Sequence, residues 1–350
     1  MQIPIENIYF LLCYAWNKLE EKERVNISID GKTELLDLFA KILINASRSL
    51  LKRGIDKNYI DYAEELTGVK GKIQISQTLK RNLLIKQRTI CTFDDFSSNI
   101  ISNRILVTTI YRLTRTKGLD NELKKELVGI LRMLDGIEQI EITNSLFKQV
   151  KINRNNRFYG FVMNVCQIIY DSTLPSEEQG KYKFTDFTRD DNKMNQLFEA
   201  FIRNFYRIEQ RKYKAVKKET IMWQFDNIDN ESFDYLPQME TDITLENDEE
   251  KIIIDAKFYR ETMTVHFDKE RIKSANLYQL FSYLLNQEDN TTKTVTATGI
   301  LLYPTIENDY NLDFKYKEHE IQIRTVNLNA DWRDITKRLK EIINLTNSNF

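Results

Sequence analysis

Residues 236–260 read Leu236-Pro-Gln-Met-Glu-Thr-Asp242-Ile-Thr-Leu-Glu-Asn-Asp-Glu-Glu-Lys-Ile-Ile-Ile-Asp255-Ala-Lys257-Phe-Tyr-Arg260. The first part alternates, so Asp242 shares a face with Thr244. The polar run Glu246 to Glu250 reverses the chain. Ile252-Ile253-Ile254 then opens a second strand, apolar on both faces as a buried central strand requires. Asp255 and Lys257, two residues apart, point to one face. If the two strands pair as a hairpin, Asp242, Asp255 and Lys257 converge at one site.

That convergence suits phosphodiester hydrolysis. Two aspartates sharing a site repel unless a cation bridges them. Mg²⁺ or Mn²⁺ fits carboxylate oxygens and keeps waters and a phosphate oxygen. A bound metal lowers the pKa of its water, and a lysine can orient that water or offset charge on the phosphate. On spacing alone the plainer reading is a surface hairpin with an ion pair, because 29% of the residues are charged. The apolar run ahead of Asp255 counters it: charge at the border of a core is costly without a task.

Working outward, Leu174-Pro-Ser-Glu-Glu-Gln-Gly-Lys181 is the candidate linker. We divide the chain into an N-terminal α+β domain, 1–175, and a C-terminal mixed α/β domain, 176–350. In the first, apolar residues recur at helical spacing over 8–19, 35–46 and 100–113, with further helices near 120–134 and 157–172. Tyr59 to Ile75 reads as short strands around Gly68-Val-Lys-Gly71-Lys72, and Arg88 to Phe93 as another. In the second, a helix at 190–213 precedes strands at 219–225, 239–245 and 251–257. A helix at 274–286, strands at 294–303 and 318–327, and a helix at 332–345 follow.

Other features are weighed against that frame. Gln279 and Tyr283 lie at i, i+4 on one helical face, which by itself means only a partly buried tyrosine. Glu199, in Leu-Phe-Glu-Ala-Phe, reads equally as a solvated glutamate or an acid reaching a metal. The basic run Arg211-Lys-Tyr-Lys-Ala-Val-Lys-Lys218 sits where cations suit a helix C-terminus, with DNA contact as the second reading. His266 and His319 receive no role, and Trp16, Trp223 and Trp332 are assigned to cores.

Composition excludes several classes. With 51 Lys+Arg against 52 Asp+Glu the net charge is −1, so a wholly basic nucleic-acid coat is excluded but a local basic groove is not. Cys13, Cys91 and Cys166 are scattered, which argues against a disulfide framework or a cysteine zinc site. The Gly68 turn lacks the P-loop gap and its Ser/Thr, so no nucleotide site is expected. No apolar run reaches membrane length and the N-terminus lacks a leader pattern, so the chain reads as cytoplasmic with no membrane partner.

These residues resemble a known family along most of the chain. Ile3-Pro-Ile-Glu-Asn-Ile-Tyr-Phe-Leu-Leu-Cys-Tyr-Ala-Trp16, Gly68-Val-Lys-Gly-Lys-Ile73, Cys91-Thr-Phe-Asp94 and Ser102-Asn-Arg-Ile-Leu106 are similar to McrC proteins. So are Leu236 to Ile243, Ile254-Asp-Ala-Lys-Phe-Tyr259 and Asn276-Leu-Tyr-Gln-Leu280. McrC proteins are nuclease subunits of McrBC, a type IV methylcytosine-specific restriction system. The resemblance implies a PD-(D/E)xK fold, a mixed central sheet flanked by helices, in its RecB-like branch. It implies catalytic roles for Asp242, Asp255, Lys257, Gln279 and Tyr283, and Mg²⁺ (or Mn²⁺) held by Asp242, Asp255 and Glu199. It further implies a McrB-like AAA+ GTPase hexamer as partner, contacted by the N-terminal domain. GTP is used by that partner, not by this chain, and the substrate is double-stranded DNA with methylated cytosine. The sequence departs from the superfamily in lacking a Pro-Asp pair at the first motif. Two alternatives stay open: a catalytically silent activator of an AAA+ partner, and a stand-alone DNA nuclease.

Overall fold

The computed structural model describes residues 3–16, 34–176, 178, 180–225, 234–259, 264–266, 269–271, 273–289, 291–305 and 310–344, with the segments 264–266 and 269–271 by backbone only. Leu19, the last apolar position of the expected first helix, lies outside the described residues. Two compact units result: Arg24–Thr185, and Met1–Glu23 joined with Asp186–Phe350. The division drawn at 175/176 therefore differs from the folded one at both ends. Helix α1 (Ile5–Ala15) belongs with the second unit, packed on a helix nearly two hundred residues later in the chain.

Arg24–Thr185 holds α2 (Leu35–Arg53), β1 (Asn58–Leu66), β2 (Lys72–Ile73), α3 (Ile75–Lys80), β3 (Thr89–Ser97), α4 (Ile101–Thr114), α5 (Asn121–Met133), α6 (Asn144–Gln149), α7 (Arg157–Ser172), β4 (Thr173–Pro175) and β5 (Tyr182–Phe184). The apolar stripes of α2, α4, α5 and α7 form its core, with Phe39, Ile42, Ile110, Leu127 and Phe161 buried. Strands β1 and β3 pair antiparallel over nine residues, with β2 on the other side of β3. Gly71 has φ +70°, and a Cβ there would lie 2.4 Å from the Thr92 carbonyl, so the turn into β2 requires glycine. The roots of β1 and β3 are tied to the helices. Buried Asn103 of α4 donates to the carbonyls of Asp56 (2.9 Å) and Ser98 (2.7 Å). Its Oδ1 accepts from the Tyr159 hydroxyl at 2.6 Å, which in turn accepts from the Asp56 N–H at 2.9 Å.

The segment read as a linker is a hairpin of this unit. Thr173 pairs with Phe184 and Pro175 with Tyr182, and Gly180 takes φ +72° in the loop. Its polar residues serve a turn; Glu177 and Gln179 lie outside the described residues.

The other unit continues with α8 (Asp191–Glu209), β6 (Ala215–Lys217), β7 (Thr220–Ile221), β8 (Met239–Glu240), β9 (Ile243–Glu246), β10 (Lys251–Ala256), β11 (Thr264–His266), β12 (Lys269–Arg271), α9 (Ser274–Asn286), α10 (Thr292–Val295), β13 (Thr298–Thr305), β14 (Asn311–Tyr316), β15 (His319–Asn327) and α11 (Trp332–Asn344). Its main sheet runs β14-β15-β13-β10-β9-β6. Strands β10, β13 and β15 are parallel; β9 and β14 run against their neighbours. The sheet is thus mixed and flanked by helices. Strand β10 is buried at every residue, as a central strand covered on both faces must be. On one face Ile253, Leu301, Ile321 and Ile323 pack against Leu280, Tyr283 and Leu284 of α9. Ile252, Ile254, Ile300 and Leu302 alternate to the opposite face and are equally buried. There α8 lies across β6, β9 and β10, and its Tyr206 hydroxyl donates to the Leu339 carbonyl of α11 at 3.0 Å. Helix α9 comes so close to β13 that a Cβ on Gly299 would sit 2.8 Å from Leu284 Cδ1.

Two expected strands are shorter than read, and β14 was not foreseen. The strand placed at 239–245 is split into β8 and β9. The helix placed at 190–213 stops at Glu209, so the basic run beyond it holds β6 and not a helix terminus. The strand placed at 219–225 is only β7, because its chain crosses to pair with β8 in a separate two-stranded sheet. The strand placed at 294–303 begins at Thr298, after the short helix α10. Strand β14 is largely exposed at the sheet edge, so it carries no buried stripe to read. The tryptophans assigned to cores are half-buried; Trp332 stacks on Phe10 at 4.6 Å.

Candidate active site

The site forms at the C-terminal end of β10. The β9–β10 register pairs Ile254 with Ile243, and one step further brings Asp255 opposite Asp242. Asp242 sits just before β9, where Oδ2 accepts from the Ala256 N–H at 3.0 Å. Its loop is pinned from behind: the Thr241 hydroxyl accepts from the Glu219 N–H and bonds the Thr244 hydroxyl, at 3.0 and 2.9 Å. Lys257 extends β10 by a hydrogen bond from its N–H to the Leu302 carbonyl. Its ammonium lies 2.9 Å from Asp255 Oδ1 and 3.4 Å from Asp242 Oδ2. The structure therefore brings the three residues together.

The electrostatics are unbalanced. Asp255 is fully buried, and neither oxygen has a well-directed hydrogen-bond partner despite the nearby ammonium. Burial pushes its carboxyl up to about 7; Lys257 pulls the other way, and Asp242 adds to the rise. Burial draws the Lys257 ammonium down, yet Asp255 and Asp242 outweigh it and hold it above the usual lysine range. Glu199, half-buried on α8, is raised first by burial and then by Asp242. Asp242, Asp255 and Glu199 thus act on one another through space with Lys257 between them.

Helix α9 supplies the roof. Gln279 Nε2 donates to the Tyr283 hydroxyl at 2.6 Å, and that hydroxyl donates to the Glu240 carbonyl at 2.9 Å, two residues before Asp242. Burial holds the Tyr283 hydroxyl up at about 12, with Asp255 and Asp242 adding, so it stays a donor. A second chain runs beside it: Tyr259 hydroxyl to Asn276 Oδ1 at 3.2 Å, then Asn276 Nδ2 to the Tyr303 hydroxyl at 3.0 Å.

Sequence reading missed Asn195 and Arg203. They flank Glu199 at four-residue spacing on α8, Asn195 before it and Arg203 after it, the one signal that could have found them. Asn195 Oδ1 accepts from the Phe258 N–H at 2.8 Å, and Arg203 Nη1 donates to the Asp242 carbonyl at 3.3 Å. The basic run 211–218 is mostly paired with acids. Lys212 meets Glu250 at 2.7 Å, Lys214 meets Asp248, Lys217 lies 3.5 Å from Glu219, and Lys218 lies 3.4 Å from Glu240. His319, given no partner from sequence, is buried between the Ala297 carbonyl and Glu288, each at 2.9 Å. The side chain of His266 lies outside the described residues.

Among the described residues, no three His, Cys, Asp or Glu side chains make a ready-made metal cage. The donor set is instead a pair of aspartates, one of them fully buried, sharing the ammonium of Lys257. That suits a hard cation, which is commonly bound through one or two carboxylates, waters and a substrate phosphate. Among the described residues no helix is long and apolar enough to cross a membrane.

Residues 6–304 match the family model for the "McrBC 5-methylcytosine restriction system component". The chain is 31% identical over 340 residues to the type IV methyl-directed restriction enzyme EcoKMcrBC of Escherichia coli K12, covering 97% of both chains. Its fold is similar to a chain in a half-complex of Thermococcus gammatolerans McrB AAA+ hexamers with bound McrC. The TM-score is 0.54 at 16% identity, over 98% of this chain and 76% of that one.

Proposed function

Because the chain belongs to the McrBC 5-methylcytosine restriction system component family, we propose that it is the nuclease subunit of such a system, with a PD-(D/E)xK-type site at Asp242, Asp255 and Lys257. The observation that carries this reading is Asp255: a fully buried carboxylate that shares the single ammonium of Lys257 with a second aspartate, Asp242. Two carboxylates against one cation leave a negative charge that is costly in a buried site and that a further cation would balance.

Asp242 and Asp255 would hold Mg²⁺ or Mn²⁺, with Glu199 as a third carboxylate. When bound, the cation supplies charge neutralisation at the phosphate and a water acidic enough to ionise near neutral pH. Lys257, held between the aspartates, would orient an attacking water or offset charge building on the phosphate oxygens. Tyr283 fixes the backbone ahead of Asp242, and Gln279, bound to Tyr283, is held at the rim where the DNA backbone approaches.

The substrate is DNA carrying methylated cytosine. The partner is a McrB-like AAA+ GTPase ring, contacted through Arg24–Thr185 and responsible for the GTP. The main rival is a silent activator. Retention of Asp242, Asp255 and Lys257 in one place favours the nuclease. The test is cleavage of methylated plasmid with Mg²⁺, by the chain alone and with its AAA+ partner and GTP. Cleavage needing partner, GTP and methylation supports the nuclease reading. Stimulated GTPase without cleavage sinks it in favour of the activator. Cleavage by the chain alone, indifferent to methylation, makes it an autonomous nuclease.

A further inference from the structure

Asn195 lies one helical turn before Glu199 on α8, and its side-chain amide is committed at both ends. The Phe258 N–H can only donate, so the amide atom facing it at 2.8 Å is the oxygen. The NH₂ group is thereby turned toward Glu199, whose Oε1 accepts from it. The orientation of the amide follows from the backbone partner alone. One side chain thus joins the residue after Lys257 to the half-buried carboxylate that acts on Asp242.

A residue needed only to satisfy the Phe258 N–H would require an acceptor and nothing more. Here the donor half meets a carboxylate that burial and Asp242 both burden. Without that donor, Glu199 loses a hydrogen bond that directs it: its side chain carries several rotatable bonds, the Asp242 charge repels it, and the pull of Lys257 and Lys218 acts on it through space only. We propose that Asn195 is a positioning residue that holds Glu199 toward the Asp242/Asp255 pair and thereby sets the affinity of the site for a divalent cation. This rests on the metal-dependent reading of the site above. Outer groups that orient a carboxylate ligand commonly change metal affinity by about 10–100-fold when removed.

The test is a double-mutant cycle read by Mn²⁺ titration calorimetry on the full chain, with metal-free melting as a control for folding. Asn195→Ala is expected to weaken Mn²⁺ binding about tenfold. Glu199→Ala should weaken it at least as much. The double variant should be no more than about twofold weaker than Glu199→Ala, because Asn195 acts through that carboxylate. If Asn195→Ala does not fold, Asn195→Ser takes its place, being small enough to fit and too short to span to Glu199. Additive losses, or an Asn195 variant that binds like wild type, would overturn the inference and leave the nuclease reading standing. A wild-type chain that binds no Mn²⁺ would overturn both.

Discussion

Replacing Asp255 by asparagine should make the metal-free protein more stable at pH 8. Burial holds this carboxyl at about 7 against an ordinary value of 3.8. At about 1.4 kcal/mol per pH unit, ionised Asp255 costs the folded state at most ~4 kcal/mol. That shift already contains the pull of Lys257, 2.9 Å away, so ~4 kcal/mol is the upper bound on the gain. The expected gain is about 1–4 kcal/mol, or a melting temperature higher by roughly 2–16 °C. The sign of the pH dependence is fixed by the same shift. A carboxyl that titrates higher in the folded chain favours folding fully below about pH 4, and that contribution is lost as pH rises through about 7. The advantage of Asp255→Asn should therefore shrink as pH falls from 8 toward 5. Melting curves in EDTA across that range measure it. A variant that melts at or below wild type at pH 8, or whose advantage grows on acidification, would refute the account of Asp255 as an unbalanced buried charge. With saturating Mn²⁺ the order should invert, because only the wild-type site gains from the cation.

Asp255→Ala should abolish cleavage of methylated DNA while partner binding and GTPase stimulation persist, read by gel assay and phosphate release. Tyr283→Phe removes the bond to the Glu240 carbonyl and the acceptor for Gln279; unfolding by urea should show a loss of about 1 kcal/mol. Gly299→Val forces α9 off β13, lowering stability by about 1–3 kcal/mol and cleavage with it. Asn103→Ala strands the Asp56 and Ser98 carbonyls and the Tyr159 hydroxyl; proteolysis should open the β1–β3 pair at lower denaturant, from a cost of about 2–3 kcal/mol.

Much of the site was legible because period-two spacing is absolute within a strand. Once Ile252 to Ile254 marked a central strand, Asp255 and Lys257 had to share a face, and the polar turn set Asp242 opposite. Helical spacing put Gln279 and Tyr283 on one face, but only the family resemblance pointed them to the site; α9 has the bounds expected of it. What lay beyond reading depends on which elements meet. Asn195 accepts a backbone N–H 63 residues away, and no local pattern records that. Helix α1 looked like part of the N-terminal domain because the chain continues from it, yet Asn7 bonds the carbonyls of Leu328 and Ala330. The polar hairpin at 173–184 passed for a linker since turns and linkers share a composition.

The nine-pair ribbon of β1 and β3 behaves mechanically as a beam clamped at one end. At about 3.4 Å per residue it reaches roughly 30 Å, and its fixed end is the Asn103–Tyr159 latch. Tension along the ribbon strains its cross-strand hydrogen bonds together, so the ribbon is stiff in that direction. A sideways force at the tip peels the pairs in turn and multiplies by leverage at the root. The two latch residues, both buried in the helices of their own unit, thus determine how far a displacement at the tip is felt by α4 and α7.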